Sequence, residues 1–156
     1  MHAPILDLAL DPQDPNTLYA ATTTVLLKTA DGGATWNAAN SGLIAGGHPL
    51  AIDPQNTNTV FAAACSATGC AVIKSTDTGM SWSPSWIASD SSSNWVTTIA
   101  IDPQNSNILY ATTQGFDECQ NETLHMSLDG GMSWSDSLFR DLGVSATCVL
   151  ALAIDP

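Results

Sequence analysis

Three aspartates stand at the same place in three copies of one eight-residue pattern, and they are the first side chains in this sequence that could carry chemistry. The pattern is Ser/Thr-x-Asp-x-Gly-x-Thr/Ser-Trp, and its copies occupy residues 29–36, 75–82 and 127–134, with aspartates Asp31, Asp77 and Asp129. A carboxylate can act as a catalytic base or a metal ligand, but it can also accept hydrogen bonds from its own turn. Three identical turns at three separate edges cannot converge on one substrate, so we interpret the aspartates as structural.

The other fixed residues of the pattern suit a turn between two strands. A glycine supplies a positive φ where a side chain would clash, and the closing tryptophan is expected to start the next strand and cover apolar surface. The glycines are Gly33, Gly79 and Gly131, and the tryptophans are Trp36, Trp82 and Trp134. Each copy is therefore predicted to be a self-contained turn.

A second signature alternates with the first. It is an apolar strand that ends in Asp-Pro, with its aspartates at Asp11, Asp53, Asp102 and Asp155, so the period is 42 to 53 residues. No segment shows helical periodicity with caps. A β repeat of this length is typical of a four-stranded propeller blade.

The repeat predicts an all-β fold, a β-propeller segment of three four-stranded antiparallel blades plus one strand of a fourth. The blades are predicted at residues 1–46, 47–94 and 95–146, and residues 147–156 open the fourth. In the middle repeat, the four strands are expected at about 48–53, 59–65, 70–75 and 81–86. Three complete blades fall short of the four to eight of known propellers, so we expect strand pairing or blade packing to continue beyond these residues.

The eight-residue pattern resembles the BNR/Asp-box repeat of sialidases, xyloglucan-cleaving glycosidases, the sortilin luminal domain and photosystem II assembly factors related to Ycf48. The resemblance covers essentially the whole chain through three copies in register. It implies a propeller fold with the boxes at its periphery in a structural role, and it implies no particular activity.

The predicted strand order places the variable loops on one face of the propeller, where binding usually resides. Aromatic and acidic residues from these loops could form a ligand face suited to sugar rings: Trp86, Asp90, Trp95, Phe116, Asp117 and Glu118. The alternative is that the tryptophans fill space between blades and the acids are solvated. Asp117, Glu118 and Glu122 could also gather a hard cation, but their spacing matches no EF-hand loop, and we interpret them as a solvated acidic loop. We predict no metal site and no cofactor.

Four cysteines, Cys65, Cys70, Cys119 and Cys148, are expected on the same face. Disulfides between Cys65 and Cys70 and between Cys119 and Cys148 are predicted, although four cysteines allow three pairings. Such bridges favour an extracellular, cell-surface or periplasmic protein. The alternative is four reduced thiols in a cytosolic core.

Composition excludes several function classes. Three Lys+Arg against fifteen Asp+Glu give a net charge of −12, which repels nucleic acid and anionic membranes. No apolar run is long enough to insert into a bilayer. Arg140 is the only arginine, whereas sialidases need several, and the three histidines have no metal-ligand spacing.

These observations favour a non-enzymatic binding or structural module of an exported or cell-surface protein. Its expected partners are the remaining blades of a longer chain or further copies of itself, and its ligand a carbohydrate or a protein. The alternative is a fragment of a carbohydrate-active glycoside hydrolase of xyloglucanase or sialidase type.

Overall fold

The computed structural model describes residues 4–39, 48–66, 69–87, 95–114, 123–135 and 152–155, and within them the chain forms eleven β-strands and no helix. Sheet 1 contains β1 (Ile5–Leu10), β2 (Leu18–Thr22), β3 (Leu26–Thr29) and β4 (Asn37–Ala38). Sheet 2 contains β5 (Leu50–Ile52), β6 (Val60–Ser66), β7 (Gly69–Ser75) and β8 (Ser83–Ile87). Sheet 3 contains β9 (Trp95–Ile101), β10 (Leu109–Gln114) and β11 (Thr123–Ser127). The all-β prediction is confirmed.

Every sheet is built from neighbouring strands that pair antiparallel in chain order. An isolated antiparallel bridge also pairs Met126 of β11 with Ser135. The strands of sheet 2 lie within about two residues of the four predicted in the middle repeat. Residues 152–155, predicted to belong to the opening strand of a fourth blade, are not in a strand, and that blade stays a prediction.

The Asp-Pro signature ends the first strand of each sheet and turns the chain into the second. The Asp11 carboxylate accepts a hydrogen bond from the backbone N–H of Gln13 at 2.8 Å, and Asp53 accepts one from Gln55 at 2.9 Å. An aspartate that binds an amide two residues on replaces the sheet partner that the turning backbone has lost. The reversal is therefore specified within a few residues.

Two apolar clusters hold the three sheets together face to face. The first lies between sheets 1 and 2 and includes Tyr19, Leu26, Leu50, Val60 and Ile73. The second lies between sheets 2 and 3 and includes Phe61, Val72, Val96, Ile99 and Leu109. Because side chains alternate across a strand, sheet 2 uses one face for each neighbour. The first strands adjoin as well, β1 against β5 and β5 against β9.

Antiparallel pairing sorts the connections onto two ends of the assembly. The uniform end carries the Asp-Pro turns and the three eight-residue turns, because the first and third strands of a sheet run in the same direction. The variable end carries the β6–β7 hairpin, the start of β9 at Trp95 and the end of β10 at Gln114. Among the described residues there is no helix long and apolar enough to cross a membrane.

Candidate functional site

The eight-residue turns form closed hydrogen-bond networks around their aspartates. In the middle copy, one carboxylate oxygen of Asp77 accepts the Ser75 hydroxyl at 2.7 Å and the Ser81 backbone N–H at 2.8 Å. The other oxygen accepts the Ser81 hydroxyl at 2.6 Å. The Ser75 hydroxyl oxygen in turn accepts the backbone N–H of Gly79 at 2.8 Å. Both carboxylate oxygens are therefore engaged within the turn.

The first and third copies repeat this network. Asp31 accepts the Thr29 hydroxyl at 2.7 Å and the Thr35 hydroxyl at 2.6 Å, and Asp129 accepts the Ser133 hydroxyl at 2.5 Å. The pKa of each aspartate is lowered to about 2, chiefly by the hydroxyl and next by the backbone N–H of the residue four positions on. These residues are Thr35, Ser81 and Ser133. An acid this strong is a weak proton acceptor at neutral pH. The geometry thus supports the structural interpretation of the aspartates.

The glycines of the second and third turns also permit close contact with the preceding sheet. Gly79 has φ +86°, and a Cβ placed there would lie 3.2 Å from Tyr19 Cε1. Gly131 has φ +85°, and its Cβ would lie 2.8 Å from Phe61 Cε1. The turn of one sheet therefore rests on an aromatic ring of the sheet before it. This contact was not predicted from the sequence, although an aromatic residue recurs at that place in each repeat, as Tyr19, Phe61 and Tyr110.

Two donors from sheet 1 bind the same backbone carbonyl of sheet 2. The Tyr19 hydroxyl donates to the Thr78 carbonyl at 2.8 Å, and the Lys28 ammonium donates to it at 3.1 Å. The Lys28 Nζ also lies 5.4 Å from the Tyr19 ring centroid, within the range of a cation–π interaction. Burial raises the pKa of Tyr19 to about 12 and lowers the pKa of Lys28 from its ordinary value.

Sheets 2 and 3 meet at the equivalent positions. The Lys74 ammonium lies 5.3 Å from the Phe61 ring centroid and donates to the Gly130 carbonyl at 2.9 Å. The chain has only three Lys+Arg residues, and two of them join neighbouring sheets. This role of the lysines was not predicted from the sequence either. The available signal was a lysine directly before Thr29 and before Ser75.

Two tryptophans of the eight-residue turns, Trp82 and Trp134, reach back to the preceding sheet. The Trp82 indole N–H donates to the Ala39 carbonyl at 2.8 Å, and the Trp134 indole N–H donates to the Ser85 hydroxyl oxygen at 3.3 Å. Trp36, in sheet 1, is 39% exposed. The tryptophans were predicted to cover apolar surface, and the structure adds a polar contact between sheets.

A further hydrogen bond joins neighbouring Asp-Pro turns at the uniform end. The Gln13 side-chain amide donates to the Pro54 carbonyl at 2.9 Å, and the Gln55 amide donates to the Pro103 carbonyl at 3.1 Å. At each of the two contacts the preceding sheet therefore contributes a glutamine amide and a lysine ammonium, and the following sheet contributes the two backbone carbonyls that accept them.

The two tryptophans of the predicted ligand face lie in different environments. Trp95 begins β9, lies opposite Gln114 and is 44% exposed. Trp86 is half-buried, with its ring centroid 4.2 Å from that of His125 and 6.1 Å from that of Trp134. The alternative interpretation, that a tryptophan fills the space between blades, therefore describes Trp86 and not Trp95. Four further residues of the predicted ligand face lie outside the described residues: Asp90, Phe116, Asp117 and Glu118.

His125 is buried between sheets 2 and 3, where its Nε2 lies 3.1 Å from the Thr113 hydroxyl oxygen. Among the described residues no group of three or more His, Cys, Asp or Glu side chains is arranged to hold a metal ion.

The β6–β7 hairpin carries the two cysteines of the first predicted disulfide. Cys70 is disulfide-bonded, and Cys65 is its Cα partner across the hairpin. Directly opposed residues in an antiparallel pair lie within the range of Cα separations that a disulfide spans. The Cys65–Cys70 pairing stays a prediction, because the side chain of Cys65 lies outside the described residues, as do Cys119 and Cys148.

Comparison with known structures decides the fold. The chain is similar to an ancestral GH74 enzyme, with a TM-score of 0.67 and 22% identity over 86% of this chain. It is also similar to YCF48 from Cyanidioschyzon merolae (TM-score 0.59, 18% identity, 86% of this chain) and to a chain of a nidogen/laminin complex (TM-score 0.62, 16% identity, 86% of this chain). This chain is a β-propeller segment. Sheets 1, 2 and 3 are blades of the propeller.

The comparisons show the propeller fold alone. The chain spans 20%, 37% and 48% of the lengths of the GH74 enzyme, YCF48 and the nidogen/laminin chain, respectively. No protein-family model and no curated protein matches the chain. Membership of the BNR/Asp-box repeat family therefore stays a prediction.

Proposed function

We propose that this propeller segment belongs to a non-enzymatic binding or structural module of an exported or cell-surface protein, with its ligand at the variable end. One observation carries the proposal: the three repeated carboxylates are engaged in their own turns, as shown by Asp77 with Ser75 and Ser81. We therefore assign a structural role to the three aspartates that recur in the repeat. Recognition is left to the loops of the opposite end.

Trp95 is the described residue best suited to contact a ligand there. It is 44% exposed and stands at the start of a strand that contributes Val96 and Ile99 to the core between sheets 2 and 3. An exposed indole on a rigid strand offers an apolar face to a sugar ring or to an apolar side chain of a protein. The net charge of −12 favours a neutral or basic ligand over an anionic one.

Placement outside the cytosol is supported by the disulfide at Cys70. Structural disulfides persist in oxidising compartments and are rare in the cytosol. As partners we propose the remaining blades of a longer propeller or further copies of this chain.

The second candidate is a fragment of a carbohydrate-active glycoside hydrolase. The exposed face of Trp95 suits stacking on a sugar, and the similarity to a GH74 enzyme is consistent with this candidate at the level of fold. A glycosidase requires a pair of carboxylates beside the scissile bond. The aspartates of the eight-residue turns do not supply such a pair, so the carboxylates would have to come from elsewhere.

Glycan-array binding and hydrolysis assays on xyloglucan, other β-glucans and sialosides distinguish the two candidates. We expect binding without turnover, and we expect Trp95→Ala to weaken binding about tenfold or more, as loss of one stacked ring does. Trp36→Ala is the matched control, because it removes an equally exposed indole, 39% against 44%, from the uniform end.

Three results would contradict the proposal. Equal loss of binding in both variants would place the ligand away from the variable end, and binding that survives Trp95→Ala unchanged would exclude Trp95. Release of reducing sugar that is lost on replacing Asp90, Asp117 or Glu118 would establish the hydrolase instead.

A further inference from the structure

The face of sheet 1 that points away from sheet 2, here called the rear face, is apolar. Its leucines on β1 are exposed, and those on β2 and β3 are half-buried. It carries Leu8, Leu10, Leu18 and Leu27, which alternate with residues that pack on sheet 2. Leu8 is 53% exposed, whereas Leu50, its equivalent in sheet 2, is 9% exposed because sheet 1 covers it. The repeat itself therefore shows what kind of surface covers a rear face.

Polar groups at the edge of a rear face receive specific donors from the preceding sheet. In sheet 2 the Pro54 carbonyl accepts the Gln13 amide, and the Thr78 carbonyl accepts the Lys28 ammonium. In sheet 3 the equivalent carbonyls accept Gln55 and Lys74. The closing tryptophans of sheets 2 and 3 donate in the opposite direction: the indole N–H of Trp82 binds Ala39 and that of Trp134 binds Ser85, both in the preceding sheet.

Sheet 1 has the same three groups at the same places of the repeat. They are the carbonyl of Pro12, the carbonyl of Gly32 and the indole of Trp36. Gly32 has φ +69°, close to the φ of Thr78 and Gly130, the residues whose carbonyls accept the lysines. The turn of sheet 1 therefore has the backbone form that receives a lysine in the other two sheets.

We propose that the rear face of sheet 1 binds a further blade that carries a glutamine after its Asp-Pro turn and a lysine beside an aromatic ring. The glutamine amide would donate to the Pro12 carbonyl and the lysine to the Gly32 carbonyl, while the ring packs on the turn. Positive charge on the occupant also suits a chain with a net charge of −12. This inference deepens the partner named in the proposed function and rests on it.

A second copy of this chain meets these requirements less well. Its sheet 3 offers Gln104 and Tyr110, but Met126 stands where sheets 1 and 2 have Lys28 and Lys74. A methionine side chain has no proton to donate to a carbonyl. The chemistry of the rear face therefore favours a lysine-bearing blade over sheet 3 of another copy.

The experiment places a lysine-bearing blade ahead of sheet 1. A second copy of residues 48–94, which includes Gln55, Phe61 and Lys74, is joined directly ahead of residue 4. Residue 94 of the added copy then precedes residue 4 as residue 94 precedes residue 95 in the natural chain. Hydroxyl-radical footprinting then compares the extended chain with the natural chain. We expect labelling of Leu8 to fall about sixfold, the ratio of the exposures of Leu8 and Leu50, 53% against 9%. Labelling of Leu10 should fall less, because its equivalent Ile52 is half-buried in sheet 2, and labelling of Trp36 should fall as well.

A matched extended chain carries Gln55→Ala and Lys74→Met in the added copy alone. It retains the apolar face of the added blade, and we expect it to lose most of the protection of Leu8 and Leu10. A third chain, with Leu8→Glu and Leu10→Glu on the rear face, is expected to gain no thermal stability from the added blade, whereas the unsubstituted extended chain does.

Unchanged labelling of Leu8 and Leu10 in the extended chain would overturn the proposal. Equal protection by the added blade with and without its glutamine and lysine would refute recognition by these two donors. Protection that appears in the natural chain as its concentration rises would identify a second copy as the occupant. None of these results depends on Trp95, so failure here and failure of the proposed ligand site are separable.

Discussion

The contact between sheets 1 and 2 and the contact between sheets 2 and 3 use the same backbone positions but different side-chain donors. In the first contact, the Tyr19 hydroxyl and the Lys28 ammonium both donate to the Thr78 carbonyl. In the second, Phe61 has no hydroxyl, and Lys74 donates to the Gly130 carbonyl. The carbonyl at this position of the turn thus accepts two hydrogen bonds in the first contact, and the equivalent carbonyl accepts one, from a lysine, in the second.

The second contact adds a serine instead. Ser85 stands where sheet 1 has Ala39, and its hydroxyl donates to the Gly131 carbonyl while accepting the Trp134 indole N–H at 3.3 Å. The backbone carbonyls of the turn are fixed by the turn itself, and buried carbonyls require a partner. The comparison teaches that the backbone of the repeat sets where donors are needed, whereas the side chains that supply them can change.

Replacement of the turn glycines should produce the largest effect and should separate the two contacts. Gly131→Ala adds a Cβ 2.8 Å from Phe61 Cε1 and 2.7 Å from Ser85 Oγ, at φ +85°. We expect a loss of about 2–4 kcal/mol in the free energy of unfolding, from backbone strain together with overpacking. Gly79→Ala should cost less, because its closest contact is 3.2 Å.

Gly33→Ala is the control for these two substitutions in urea denaturation, since its Cβ would approach other atoms no closer than 3.9 Å. It should cost only the backbone strain of about 1–2 kcal/mol. A Gly131→Ala chain as stable as the Gly33→Ala chain would show that the turn does not rest on the Phe61 ring as described.

Removal of the lysines should affect the second contact more than the first. Lys74→Met removes a charged donor from the Gly130 carbonyl, and we expect a cost of about 1.5–3 kcal/mol in the free energy of unfolding. Lys28→Met should cost about 1 kcal/mol or less, because the Tyr19 hydroxyl still binds the Thr78 carbonyl. Methionine is the appropriate replacement, since sheet 3 has Met126 at this position.

The double variant Lys28→Met with Tyr19→Phe provides the check in urea denaturation. Its cost should exceed the sum of the two single costs, because only the pair leaves the carbonyl without a donor. Phe61→Tyr should recover part of the loss caused by Lys74→Met. Additive single costs would contradict the shared acceptor.

The serine of the second contact should have a smaller effect. Ser85→Ala converts this position to the alanine of sheet 1 and removes a hydrogen bond to the Gly131 carbonyl. We expect a loss of about 1 kcal/mol in calorimetric or chemical unfolding, typical of one hydrogen bond. Ala39→Ser tests the converse exchange in sheet 1. A stability of Ser85→Ala equal to that of the natural chain would mean that the serine contributes nothing to the contact.

The eight-residue turns of the three sheets should lose stability to the same extent as the pH is lowered. Hydrogen bonds hold the pKa values of Asp31, Asp77 and Asp129 at about 2, below the ordinary 3.8. The stability that these carboxylates contribute is therefore complete above pH 3.8 and is lost as the pH falls towards 2. Thermal unfolding measured between pH 5 and 2 should show this decline, and Asp31→Asn, Asp77→Asn and Asp129→Asn should each reduce its slope to a similar extent. A steeper contribution from one aspartate would break the equivalence of the turns.

The sequence alone was sufficient to determine the turns and the strands between them. The network around Asp77 joins residues no more than four positions apart, and the Asp-Pro turn closes within a similar distance. Such contacts form wherever the chain carries the pattern, so the pattern predicts them. The alternation of apolar residues located the strands of sheet 2 for the same reason.

Only the tertiary structure decided the contacts between sheets. The bonds from Lys28 to Thr78 and from Trp82 to Ala39 join residues 50 and 43 positions apart, and no local pattern specifies which residues meet across that separation. The same reason explains why Trp86 is packed beside His125 while Trp95 is exposed. It also explains why Leu8 is exposed although its equivalent Leu50 is buried: a strand's alternation determines that a face is apolar, whereas its exposure depends on whether another sheet lies against it.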